Sequence, residues 1–129
     1  MYLLDTDVII DLFDEDSNII KNIQKISDSA VHISSLTLCE LYRGAFLSSK
    51  TESEKDNISR LLATTEFSPL DENACEVFGR KNAELSAIGK ATQEVDLMIA
   101  SIAISNGLTL VTRNKKHFEN IPGLKKVVW

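Results

Sequence analysis

Three carboxylates stand out for their settings. Asp5 stops the apolar run Tyr2, Leu3 and Leu4, Glu40 interrupts the apolar helix-like segment "LTLCELYRGA", and Asp96 precedes the continuous apolar run "LMIASIAIS". An ionised Glu40 in such a segment is costly unless it is paired, exposed or bound to a metal. Carboxylates that gather in one crevice repel each other, and a proton or a cation must relieve the repulsion. Hard oxygen donors without His or Cys suit Mg2+ or Mn2+. Such a site activates water and neutralises charge on a phosphoryl group, so the chemistry indicated is phosphodiester hydrolysis. Each acid also has a structural reading: Asp5 and Asp96 as helix N-caps, Glu40 as a solvent-facing or salt-bridged helix residue. Asp7 and Asp11 read as the exposed face of the first helix, and Asp14, Glu15 and Asp16 as a solvated turn.

The elements that must position these acids alternate from end to end. Tyr2 to Leu4 reads as a short buried strand and Thr6 to Phe13 as a helix opened by Asp5-Thr6-Asp7. A second helix runs from about Ser17 to Ile26, with Ile19, Ile20, Ile23 and Ile26 on one face. Val31 to Ser34 is the next strand, and a helix from Ser35 or Thr37 reaches about Leu47. Thr51 to Thr64 is amphipathic; Phe67 and Leu70 flank Pro69 in a brief extended link; Asp71 caps a long helix that Gly89 ends. The helix from Asp96, apolar almost all round, closes at Asn106-Gly107. "LTLVT" is a central strand, "RNKKHFENI" a short helix or turn, and "KKVVW" a terminal strand. This alternation predicts one α/β domain over residues 1–129, a parallel β-sheet with helices on its faces. In open sheets of that kind the functional crevice lies at the carboxyl ends of the strands. Asp5 ends the first strand there, and Thr112 to Asn114 end "LTLVT".

Composition narrows the class. The chain has 129 residues, is 43% hydrophobic and 26% charged, and carries a net charge of −5, which is ordinary for one globular domain. The acidic balance argues against tight nonspecific nucleic-acid binding, although a local basic rim and a bound cation would change the sign of the crevice. No stretch approaches the roughly 18 apolar residues of a membrane helix, and no signal-type region precedes Asp5, so a cytosolic protein without membrane attachment is expected. Cys39 and Cys75 lack CxxC spacing and read as packed, reduced core residues.

The segments "YLLDTDVIID", "LTLCELYRGA", "EVDLMIASIAISNGLTLVTRN" and "HFENIPGLKKVVW", in this order, resemble the PIN domain, and within it the VapC-like toxins of toxin–antitoxin pairs. The resemblance covers essentially the whole chain. It implies a Mg2+- or Mn2+-dependent ribonuclease with helices on both faces of its parallel sheet. Its acids fall on Asp5, Glu40 and Asp96, and its fourth catalytic position, often Asp, on Asn114. Asn supplies no charge but can coordinate through its carbonyl oxygen or accept a hydrogen bond from a water. Thr6 and Thr112 match positions that usually hold hydroxyls. Glu94, in the loop "GKATQEVD", is an additional possible ligand or a solvated acid. Arg43, almost one turn past Glu40, and Arg113, Lys115 and Lys116, at the crevice mouth, are candidate contacts to RNA phosphates. The resemblance further implies a homodimer and a cognate VapB-like antitoxin, for which the apolar "AFL" at Ala45 to Leu47 offers surface.

Two other enzyme or binding classes share parts of this pattern. "DTDVI" fits a haloacid-dehalogenase-like phosphatase with Asp5 as nucleophile and Asp7 as acid/base, but Ile9 occupies the last position of that pattern and the chain leaves little room for a cap module. A receiver-like module would need a phosphoacceptor Asp at the third strand, which Val31 to Ser34 does not offer. A catalytically inactive PIN-type binding module is motivated by Asn114.

Overall fold

The computed structural model describes residues 1–26 and 29–129. Five parallel strands form one sheet in the order β3-β2-β1-β4-β5: β1 Tyr2–Leu4, β2 Val31–Ser34, β3 Glu66–Ser68, β4 Thr109–Thr112 and β5 Lys126–Val128. The helices are α1 Thr6–Phe13, α2 Ser17–Lys25, α3 Ser35–Leu47, α4 Thr51–Thr64, α5 Glu72–Ala87 and α6 Glu94–Ser105, with a short 3-10 helix at Lys115–Phe118. None is long and apolar enough to cross a membrane.

Strand pleating divides the core. Leu3 and Leu110 are paired neighbours in β1 and β4 and face α5, α6, Phe118 and Ile121. Leu4 and Val111, one residue on, point to the opposite face, where α1, α3 and α4 supply Val8, Ile9, Leu41 and Ile58. Each fully buried Leu or Ile contributes about 1.5–3 kcal/mol relative to an exposed one. Helix α6 buries Leu97, Ile99, Ala100, Ile102 and Ala103, and its one buried hydroxyl, Ser101 Oγ, donates to Leu97 O at 2.6 Å. Its apolar stretch from Leu97 to Ala103 can therefore be covered on several sides without orphaning that hydroxyl.

Three elements differ from the sequence expectation. The link around Pro69 is preceded by a true strand, since His32, Ile33 and Ser34 pair with Glu66, Phe67 and Ser68. Its partner lies on one side only, which leaves Phe67 half exposed at the sheet edge. Helix α6 begins two residues before Asp96. Cys39 and Cys75 are free and exposed rather than packed in the core. The buried stripe of α3 is Thr37, Leu41 and Ala45, and that of α5 includes Ala74 and Val77. Cys39, midway between Thr37 and Leu41, therefore falls on the opposite face of its helix, and Cys75, one residue past Ala74, falls off the core-facing line.

Candidate active site

The sheet order reverses at β1, whose neighbours are β2 and β4, and Asp5 leaves the carboxyl end of that strand. The Asp5 backbone N–H donates to Val111 O at 2.9 Å, which extends the β1–β4 ladder by one bond and fixes the acid at the sheet edge. Its two side-chain oxygens have different tasks. Oδ1 accepts from the Thr6 N–H at 2.9 Å and caps α1, while Oδ2 accepts from Thr112 Oγ1 at 2.8 Å. The capping role and the crevice position thus belong to one carboxylate. Thr112 Oγ1 also accepts from the Asn114 N–H at 2.9 Å, which tightens the turn after β4.

Glu40 reaches the same edge from α3. Its Oε1 accepts from Thr6 Oγ1 at 2.9 Å, and the Thr6 hydroxyl is bonded to that of Thr37 at 3.0 Å. A hydroxyl carries a single proton, so with Thr6 serving Glu40 the Thr37 proton is directed at Thr6. Oε2 lies 3.9 Å from Arg43 Nη2. Asp96 stands in the first turn of α6, and the N-cap position is Gln93, which makes no side-chain capping bond. Asp96 Oδ2 is buried without a hydrogen-bond partner among the described residues. His117 Nδ1 lies 3.1 Å from it, close enough for an ion pair with a protonated ring but not aligned as a hydrogen bond.

Asp5, Asp7, Glu40 and Asp96 line one cavity of about 320 Å3, together with Thr6, Arg43, Gln93, Val95 and His117. Burial pushes the Asp5 carboxyl above its ordinary pKa of 3.8; the Thr112 and Thr6 hydrogen bonds oppose this, and the charges of Asp7 and Asp96 add to it. Asp96 is raised from the same value by burial first, opposed by His117 and reinforced by Glu40 and Asp7. The acids therefore feel each other, a repulsion that protonation or a bound cation would relieve. Among the described residues no group of three or more His, Cys, Asp or Glu side chains forms a ready-made metal cage. Mg2+ characteristically keeps several waters and takes one or two carboxylates, and the partnerless Asp96 oxygen gives a hard cation its attachment point. The donor set fits a divalent ion of that class. A larger cavity, about 490 Å3, lies elsewhere against α2, α4 and the starts of β2 and β3, and among the described residues Glu66 is the one ionisable group lining it.

Other expected residues are distributed differently. Arg113 turns away from the crevice: Nη1 lies 2.8 Å from Asp11 Oδ2 and 3.3 Å from Asp16 Oδ2, joining the turn after β4 to α1 and the start of α2. Asp11 and Asp16 are thus paired rather than merely solvated, and Asp16 Oδ1 also caps α2. Asn114 and Lys115 do not line the cavity; Asn114 precedes the 3-10 helix, and Lys115 begins it. Lys116 lines an adjoining pocket. Glu94 is exposed on the first turn of α6 and is not part of the lining. Asp7 is exposed, as its helical position predicts, yet it borders the acidic cavity. Thr37 and His117 are additions. A polar residue at the i−3 position from Glu40 was a signal for Thr37, whereas nothing local in "KKHF" announces that its His meets Asp96.

Comparison with known proteins places these features in a wider set. The PIN domain matches residues 2–124. The tRNA(fMet)-specific endonuclease VapC of Salmonella typhimurium is 33% identical over 128 residues, covering 99% of this chain and 97% of that protein. Ribonuclease VapC2 of Rickettsia felis is 30% identical over 131 residues, covering 100% and 98%. Among solved structures, VapBC2 from Rickettsia felis bound to a promoter DNA fragment superposes with a TM-score of 0.91 at 29% identity, covering 99% of this chain and 98% of that one. DNA-bound VapBC from Salmonella typhimurium gives 0.90 at 32% identity, covering 99% and 97%.

Proposed function

The chain belongs to the PIN domain family, and we propose that it is the ribonuclease toxin of a VapBC-type toxin–antitoxin pair, with Asp5, Glu40 and Asp96 holding a divalent cation, Mg2+ or Mn2+. The observation that supports this reading most is the meeting of three acids, distant in sequence, in one 320 Å3 cavity at the carboxyl edge of the sheet. Membership of this family replaces the phosphatase reading of Asp5 and Asp7.

The cation, when bound, supplies positive charge to the phosphoryl group and lowers the pKa of water. The chain's own groups do the rest. Thr112 holds Asp5 Oδ2 and Thr6 holds Glu40 Oε1, so both carboxylates keep one fixed orientation without donating a proton themselves. Glu40 accepts the proton of the attacking water, and Arg43 beside it contacts a phosphate. Asn114 acts through its backbone bond to Thr112, which steadies the hydroxyl that orients Asp5. Lys116 contacts RNA on the side of the adjoining pocket.

The partner is a cognate VapB-type antitoxin, since the similar structures are VapBC complexes. Homodimer formation belongs to the same proposal. Of the stretch Ala45 to Leu47, Ala45 is buried, while Phe46 and Leu47 are 66% and 83% exposed and supply apolar surface. Cleavage of RNA by the purified chain with Mn2+, against an EDTA control, tests the activity. Metal-dependent cleavage supports the enzyme; no cleavage under any divalent ion leaves only the inactive binding module.

A further inference from the structure

A second pocket of about 180 Å3 adjoins the acidic cavity, and Gln93, Asp96 and His117 line both. We propose that this pocket is the subsite for the base of the nucleotide flanking the scissile phosphate of single-stranded RNA, with Thr92, Gln93, Asn120 and the His117 ring as its reading groups. The proposal rests on the ribonuclease reading and deepens it.

The shared wall gives the first argument: a strand whose phosphate sits among Asp5, Glu40 and Asp96 places its next residue beside His117. Chemistry gives the second. The acidic cavity has four carboxylates; this pocket shares Asp96 and the Gln93 amide with it and adds a hydroxyl, the Asn120 amide, Lys116 and one carboxylate, Glu119. Amides donate and accept in one plane, which matches the edge of a base, and Lys116 can meet the neighbouring phosphate. Size gives the third. The volume is below the roughly 300–1,000 Å3 of pockets for drug-sized ligands, so it suits one heterocycle rather than a duplex or a folded peptide.

The pocket is also built on anchored residues. Phe118 and Ile121 are buried in the core and bracket the exposed Glu119 and Asn120, so the segment after β4 is held while its polar side chains remain accessible. The His117 side chain lies against Asp96 yet stays 43% exposed, leaving ring surface for a base to stack on.

Two measurements on the full chain test this. Single-stranded oligonucleotides randomised on both sides of one cleavage position, cut with Mn2+ and sequenced, should show wild-type discrimination among bases at one flanking position. Asn120→Ala and Thr92→Ala should each reduce that discrimination, by about tenfold for a lost pair of base contacts. Independently, NMR titration of the metal-free wild type with each 5′-nucleoside monophosphate should shift the backbone amides of residues 116–120 and of Gln93, most strongly for the preferred base. RNA cleavage with no base preference, or a preference unchanged in both variants, overturns the subsite, as does the absence of shifts at these amides. Absence of all RNA cleavage would instead count against the ribonuclease reading, and the shift map would still decide whether the pocket takes a base.

Discussion

Thr112 Oγ1 donates to Asp5 Oδ2 at 2.8 Å across 107 positions of sequence, joining the carboxyl ends of β4 and β1 at the crevice. The bond is buried, involves a carboxylate, and orients the oxygen not used to cap α1. Replacing Thr112 by Val should cost about 1.5–3 kcal/mol of stability, as for a hydrogen bond to a charged group. It should also lower metal affinity or activity about 10–100-fold, as for loss of a partner that orients a ligand. Urea melts and Mn2+ titrations of the variant check both figures.

The acids of the crevice set a pH dependence of the metal-free protein. Burial raises Asp5 and Asp96 above 3.8, so the folded chain keeps protons that the unfolded chain has released. Stability from these two groups is therefore present below 3.8 and is lost as pH rises through their raised values. Asp16 has the opposite sign: its pKa is lowered, first by the Ile19 N–H, so its contribution is present above 3.8 and lost as pH falls below that value. Thermal melts in EDTA should show wild type losing more stability than Asp5→Asn or Asp96→Asn as pH rises from the ordinary carboxylate value toward neutrality. Equal slopes would contradict the burial argument.

The two arginines near the crevice should separate. Arg43 borders the cavity beside Glu40, and Arg43→Ala should weaken RNA binding with a salt slope reduced by about 1, the signature of one phosphate contact. Arg113 is occupied by Asp11 and Asp16, and Arg113→Ala should leave the salt slope unchanged and change stability little, as for solvent-screened pairs. Binding isotherms at several salt concentrations distinguish them.

Both thiols should react in the native state. Cys39 and Cys75 are exposed, so iodoacetamide should modify both without denaturant. Mass spectrometry of the folded protein reads the stoichiometry.

What the sequence made legible follows from how local the signals are. The bounds of α1 were readable because Asp5 caps it and Phe13 ends its apolar face, and both causes lie within the segment. The start of α6 was not, because "GKATQEVD" carries no side-chain cap and Gln93 takes the N-cap position through backbone geometry alone. β3 escaped notice because three residues next to a proline acquire strand character only by pairing with β2. The exposure of Cys39 depended on which neighbours define the α3 stripe, and Thr37 rather than Leu38 lies on it. Asp5, Glu40 and Asp96 each showed themselves by interrupting or bounding apolar runs. His117 did not, since its meeting with Asp96 depends on how the 3-10 helix packs beside α6.

The central claim is that Asp5 and Asp96 hold a divalent cation at the edge of the sheet. Calorimetric titration of Mn2+ into the wild type, Asp5→Asn and Asp96→Asn addresses it most directly, with circular dichroism showing that each variant is folded. The wild type should bind, and each folded variant should lose more than the about 100-fold that bounds loss of an outer orienting partner. Wild-type affinity retained in both variants would contradict the claim.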